Sequence, residues 1–172
     1  NDIADEAAKQ IVTSIADKLE DKLLKAMSAT ATLTSPVSGN GGAGAVADAM
    51  LAFGEDIEGE KVLVVPPAFY NAFLHSEGWI PNTEIGADII IRGTVGAVYG
   101  AQVVISNRLT ALNEAYIIKP GALAIFMKRD TLVEVDRDPV DQTNYIIGSK
   151  IFAPYVYDKS KLIKLTLATA GA

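Results

Sequence analysis

At 172 residues the chain is long enough to bury a core of its own, as one large domain or two smaller lobes. Its 15 Lys and Arg against 21 Asp and Glu leave a net charge of −6, which disfavours a duplex-binding role, because such binding needs cations that displace counterions from phosphates. The absence of Cys excludes a disulfide framework and a thiolate metal site and fits synthesis in a reducing cytosol, and no apolar run reaches the roughly 20 residues of a membrane span.

Residues 2–27 carry Ile3, Ala7, Ile11, Ile15, Leu19 and Leu23 every four residues, with Ala8, Val12, Ala16 and Leu24 widening the stripe. That period predicts a long amphipathic helix whose buried stripe winds slowly around the axis. Asp2, Asp5 and Glu6 at its start and Lys22 and Lys25 at its end suit the helix macrodipole. The chain opens at Asn1, directly inside this pattern, which suggests a truncated or trimmed polypeptide. Such a helix is longer than a small domain needs, so it is expected to lie across a sheet as a spine.

The small, polar, glycine-rich stretch 28–44 reads as a linker between lobes. A short helix is expected over 45–53, an acidic turn over 54–59, a buried strand over 61–65 and a helix over 67–74 opened by Pro66-Pro67. The apolar, β-branched stretch 85–106 is cut by Gly86, Gly93, Gly96 and Gly100. It predicts an extended, kinked lead-in at 89–98, a tight bend near Tyr99-Gly100 and a buried strand at 101–106. Strands are expected next at 116–119 and 131–136, with a turn at Pro120-Gly121 and a second strand or buried run over 122–128 between them. A loop tip at 138–142 follows, then a long strand over 145–157 interrupted at Pro154, where an edge or a bulge is expected, and a last strand over 162–167.

No segment presents convincing chemistry. Gly39-x-Gly41-x-x-Gly44 matches a dinucleotide fingerprint by letter, yet the preceding Thr34-Ser35-Pro36-Val37-Ser38 makes a poor central strand, and the loop lacks the Lys-Ser/Thr of a phosphate loop. His75, the one histidine, falls at a helix end beside Ser76 and Glu77 without a recognisable triad, Ser106 being the other candidate nucleophile. Glu134, Asp136, Asp138 and Asp141 gather around Arg137 without the spacing of a calcium loop. Tyr145, Tyr155 and Tyr157 lack the basic groove of a base-stacking platform, so sheet packing accounts for them better. The reading therefore contains no catalytic, cofactor-binding or metal residue, and 49% hydrophobic against 21% charged residues points to surface hidden against partners.

The order of these pieces resembles the C-terminal part of the major capsid proteins of tailed bacteriophages, the HK-ninety-seven-like fold. Val64-Val65-Pro66-Pro67 with Tyr70 and Leu74 is similar to that family's strand-then-helix signature. Ile85-Gly86, then Gly96, Gly100 and Val103-Val104-Ile105-Ser106-Asn107, resembles its glycine-punctuated segment. Tyr116 to Ala122, Lys128-Arg129-Asp130 and Glu134 to Asp138 look like the part that follows, and Ala153 to Asp158 with Ser160-Lys161-Leu162-Ile163 like its closing strands. The resemblance implies an α+β fold: a spine helix on a long antiparallel hairpin (peripheral domain, 1–32 and 129–160), joined to a mixed α/β axial domain (33–128 and 161–172). The N-terminal arm and extended loop that relatives carry before the spine helix are absent from this sequence, and Pro67 stands where many relatives have an acidic residue.

It also implies a role: a structural, self-assembling, non-enzymatic subunit of a phage or prophage icosahedral shell. Its partners would be copies of itself and packaged double-stranded DNA faced without sequence-specific binding, with no membrane. It would reside in the virion after assembly in the bacterial host cytoplasm. Asp136, Arg137, Asp138 and Asp141 would lie near threefold contacts between capsomers as intersubunit residues. An encapsulin-type compartment is the alternative on the same fold, and a small nucleotide-binding enzyme using the Gly39–Gly44 stretch is the alternative from another class.

Overall fold

The first element, α1 (Asp2–Thr30), is a helix of 29 residues, about 43 Å at 1.5 Å per residue. In the computed structural model the described residues are 2–37, 42–75, 79–81, 94–109, 111, 113–141 and 143–167. The Ala31 N–H adds one more helical bond to the Met27 carbonyl at 3.0 Å, so the helix outruns the expected 2–27 and Lys22 and Lys25 lie inside it, not in its last turn. Its apolar stripe changes partner along the way. Ile11 and Ile15 are half-buried, whereas Leu24 and Met27 are fully buried further along. Val12 and Ala16, expected to widen the stripe, are exposed, because the four-residue spacing drifts and the N-terminal half is covered on one side alone.

The 28–44 stretch is not a plain linker. It holds the end of α1 and a strand, β1 (Leu33–Val37), that pairs in parallel with the last strand, β9 (Leu162–Leu167). β1 lies at the sheet edge, where Pro36 is tolerated because an edge strand has one side free of ladder bonds. Between them in sequence come α2 (Ala43–Met50), continued by a tighter turn at Leu51–Phe53, then β2 (Lys61–Val65) and α3 (Pro67–Leu74), close to expectation. Trp79–Pro81 forms a short strand, β3.

β4 (Thr94–Val98) and β5 (Ala101–Ile105) make the expected bend. Tyr99 and Gly100 both have positive φ, 46° and 79°, which is the backbone a two-residue hairpin needs to match strand twist. Ile85, Gly86 and Gly93 of the same stretch, and Gly39 and Gly41 of the glycine-rich one, lie outside the described residues. With β6 (Glu114–Ile118) these strands form a seven-stranded mixed sheet in the order β1-β9-β6-β2-β5-β4-β3. Leu63, Val65, Ile117, Ile163 and Leu165 face one side, with Val46, Phe69 and Phe73 of α2 and α3 over them. Tyr116 and Leu162 face the other, in a second cluster with Leu24 and Met27 of α1.

The segments 122–128 and 131–136, expected as separate pieces, form one strand, β7 (Leu123–Asp138). It pairs with β8 (Thr143–Val156) in a separate two-stranded ribbon, Leu123 opposite Val156 and Asp138 opposite Thr143. The register shifts between Met127 and Arg129 and again between Arg129 and Leu132, so the irregularity sits in β7 and bends it without ending it. Pro154 does not interrupt β8 but does lie on an edge, as expected: it sits opposite Ile125 within the ladder, and both strands of a two-stranded ribbon are edges.

Candidate functional site

The ribbon is long and covered on one side. β8 has 14 residues, so at about 3.3 Å each it spans about 46 Å, close to the length of α1. Residues opposite one another share a face, and successive residues alternate. Ile146, Gly148 and Phe152 therefore lie on the α1 side, where Ile146 and Gly148 line a groove with Ala7, Ile11 and Ile15 and Lys22 Nζ stands 5.0 Å from the Phe152 ring centre. Tyr145, Ile147, Ile151 and Tyr155 lie on the opposite face with Phe126 of β7. Among the described residues no helix lies over that face, and these side chains are 43–65% exposed. Tyr145 and Tyr155 are thus not packed into a sheet interior as expected, and Tyr157, just past β8, is 73% exposed.

The four acidic-tip candidates meet at the end of this ribbon. Asp136 is opposite Tyr145, Arg137 opposite Asn144 and Asp138 opposite Thr143, and Asp141 lies in the turn that follows. Asp136 shares the open face with Tyr145, while the neighbouring Arg137 belongs to the other face. Asp138 has a local duty: its Oδ1 accepts from the Val140 N–H at 2.8 Å and the Asp141 N–H at 3.5 Å, closing the turn. Among the described residues no group of three His, Asp or Glu is placed to hold a metal ion, and no helix is long and apolar enough to cross a membrane. His75 caps the end of α3 and is exposed, and the Ser106 hydroxyl donates to Glu20 at 3.0 Å.

Two polar clusters were not anticipated. The Glu114 carboxylate takes hydrogen bonds from Tyr116 at 2.6 Å and Ser28 at 3.1 Å and pairs with Lys164 at 2.6 Å, joining α1, β6 and β9. Burial pushes the Glu114 carboxyl up, but the bonds from Lys164, Tyr116 and Ser28 outweigh it and hold it below the usual carboxylate range. Burial, then the bond to Glu114, pushes the Tyr116 phenol well up. At the other end of the sheet Lys61 and Lys119, each 6% exposed, lie beneath the acidic turn after the Leu51–Phe53 segment. Lys119 pairs with Asp56 at 2.9 Å and stands 5.2 Å from the Phe53 ring centre, while Lys61 donates to the Gly59 carbonyl at 2.9 Å. Desolvation first, then Lys119, lowers the Lys61 amine. A signal for the first cluster was present in the alternation Glu114, Tyr116, which puts both on one strand face; the lysines gave none, because a lone Lys at a strand end reads as solvated.

What this architecture presents is surface, above all the open face of the ribbon. Residues 1–165 match the family described as phage capsid protein. The major capsid protein of Staphylococcus phage phiMR11 is 40% identical over 84 residues, which are 49% of this chain and 30% of that protein. Among solved structures, the capsid of the cyanophage P-SCSP1u superposes with a TM-score of 0.74 at 14% identity, over 96% of this chain and 66% of that one. An encapsulin from Synechococcus elongatus PCC 7942 gives 0.71 at 8% identity, over 95% and 65%. This chain thus spans about a third of the curated relative's length and just under two thirds of each of these solved chains. The fold is α+β and HK-ninety-seven-like, shared by phage capsids and encapsulins. The chain belongs to the phage capsid protein family.

Proposed function

We propose that this chain is the shell-forming part of a bacteriophage or prophage major capsid subunit, which assembles with copies of itself into an icosahedral shell around double-stranded DNA. The observation that carries the reading is the rod-backed ribbon with a bare apolar face (Phe126, Ile147, Ile151, Tyr155), more open hydrophobic surface than a lone subunit has use for. Many shape-matched contacts summed by symmetry then hold the shell, each weak alone. The subunit acts by shape and turns over no substrate. A net charge of −6 suits a wall that DNA slides along without sequence-specific grip. No membrane takes part, and the assembled protein resides in the virion after assembly in the host cytoplasm.

In this reading α1 and the ribbon form the peripheral domain (1–32 and 129–160) and the rest the axial domain (33–128 and 161–172). The register shift in β7 between Met127 and Arg129 supports a boundary there, because a bulge lets a strand bend. Asp136, Arg137, Asp138 and Asp141 meet neighbouring copies at the ribbon tip. The similarity to the phiMR11 protein favours a phage shell over an encapsulin-type compartment. Electron microscopy of the full-length parent, expressed with its assembly partners, is expected to reveal closed particles. A product consisting of monodisperse monomers alone would overturn the proposal.

A further inference from the structure

Two fasteners of different exposure hold α1 to the seven-stranded sheet. One is the Glu114 cluster near the helix C-terminus, whose Glu114 and Lys164 side chains are 14% and 18% exposed. The other lies mid-helix. Asp17 and Glu20, one turn apart, share Arg108 from the loop after β5: Nη2 meets Asp17 at 2.7 Å and Nη1 meets Glu20 at 2.9 Å. The second Glu20 oxygen accepts from the Ser106 hydroxyl at 3.0 Å, and that hydroxyl oxygen accepts from the Arg108 backbone N–H at 3.3 Å. The three charged side chains are 35–46% exposed.

The position of this second fastener matters. C-terminal to it, Leu24 and Met27 are seated with Leu109, Tyr116 and Leu162 in an apolar cluster. N-terminal to it, Ile11 and Ile15 rest on the ribbon at Gly148. The ribbon's own strands leave the sheet side by side, tied where the Tyr157 and Asp158 N–H groups both donate to the Ala122 carbonyl, at 2.8 and 3.2 Å. Arg108 therefore acts where the rod passes from one body to the other, and the covalent crossing beside it is narrow.

Half-exposed charges lose their attraction as the screening length falls from about 10 Å at 0.1 M salt to about 3 Å at 1 M, whereas buried pairs are screened far less. We propose that Arg108 is a salt-releasable catch. Closed, it aligns the ribbon-bearing half of α1 with the sheet; released, that half and the ribbon tilt together while the Glu114 cluster stays made. The inference stands on the fold and does not depend on the assembly reading.

Hydrogen exchange read by mass spectrometry on the whole chain tests it, for wild type and Arg108→Gln at about 0.1 M and about 1 M NaCl. In wild type the amides of 13–21 are expected to exchange about threefold faster at the higher salt, while those of β2, β5 and β9 do not change. In Arg108→Gln the faster exchange is expected at both salt levels. Unchanged exchange at 13–21 under salt would overturn the proposal, as would an acceleration spread evenly through the strands. If Arg108→Gln does not fold, the wild-type salt response decides by the same two criteria.

Discussion

Gly148 of β8 lies so close beneath Ile11 of α1 that a Cβ built on it would overlap the Ile11 Cγ2 atom. The missing side chain is what lets the rod settle onto the ribbon, and Ile15 closes in on the same spot. Gly148→Ala is expected to destabilise the protein by about 1–3 kcal/mol through overpacking. A lower denaturation midpoint in urea checks this, and adding Ile11→Ala should recover part of the loss, because the two changes share one contact.

The Glu114 cluster predicts a pH dependence with a definite sign. Its carboxyl is depressed in the folded state, so its contribution is complete above the ordinary value of 4.5 and disappears as pH falls through the lower native value. Glu114→Gln should flatten that part of the acid limb and, by leaving Lys164 short of its partner, cost about 2–3 kcal/mol at neutral pH. Tyr116→Phe should cost about 1 kcal/mol and leave the acid limb nearly in place. Thermal melts between pH 3 and 7 separate the two variants.

Much of the architecture was legible in the residues for physical reasons. The four-residue recurrence of Ile and Leu announced α1, Pro66-Pro67 set the start of α3, and Gly100 marked the β4–β5 bend. What stayed hidden depended on partners distant in sequence. β1 is strand because β9 offers it a parallel edge, not because Leu33-Thr34-Ser35-Pro36-Val37 prefers extension. β7 hid its unity because Lys128-Arg129-Asp130 breaks the alternation, and the reason, a bulged register, exists only opposite β8. Asp136, Arg137, Asp138 and Asp141 stand close in sequence, but nothing local says that Asp138 closes the turn. The Arg108 contact to Asp17 and Glu20 joins residues about ninety positions apart, and nothing local signals it.

Lys61 gives a prediction in the opposite direction to the acid one. Desolvation and Lys119 lower its amine in the folded state, so burying its charge costs stability at neutral pH, and that cost is relieved as pH rises toward 10.5. Lys61→Met, which keeps the length and removes the charge, is expected to stabilise by about 1 kcal/mol at pH 7. The gain should shrink on approach to pH 10.5, because the lowered amine gives up its proton in the fold before it does so in the unfolded chain. Melting temperatures of both proteins at the two pH values check the sign.

The ribbon tip separates a folding role from a contact role. Asp138→Ala removes the acceptor of the Val140 N–H and should cost about 1 kcal/mol in the chain itself. Asp136→Asn and Arg137→Gln, both exposed, should stay within about 0.5 kcal/mol of wild type. If the tip meets neighbouring copies, those two changes lower the yield of closed particles from the full-length parent while leaving the melt unchanged. Sedimentation of assembled material beside a melt of the isolated chain reads both effects.

The open ribbon face sets the last expectation, because its size limits what one contact can hold. A strip about 46 Å long and about 10 Å wide offers about 450 Å², short of the roughly 800 Å² per partner found in stable pairs. The isolated chain is therefore expected to sediment as a monomer at micromolar concentration despite its exposed Phe126, Ile147 and Ile151. Ile147→Asp, on a side chain already 52% exposed, should alter chain stability by about 0.5 kcal/mol or less. If this face meets a neighbouring copy in the shell, the same charge is buried once per subunit of the full-length parent, so a modest penalty at each contact is multiplied by the symmetry. Ile147→Asp should then abolish particles while leaving the subunit folded, and particles formed at the wild-type yield would remove this face from the assembly surface.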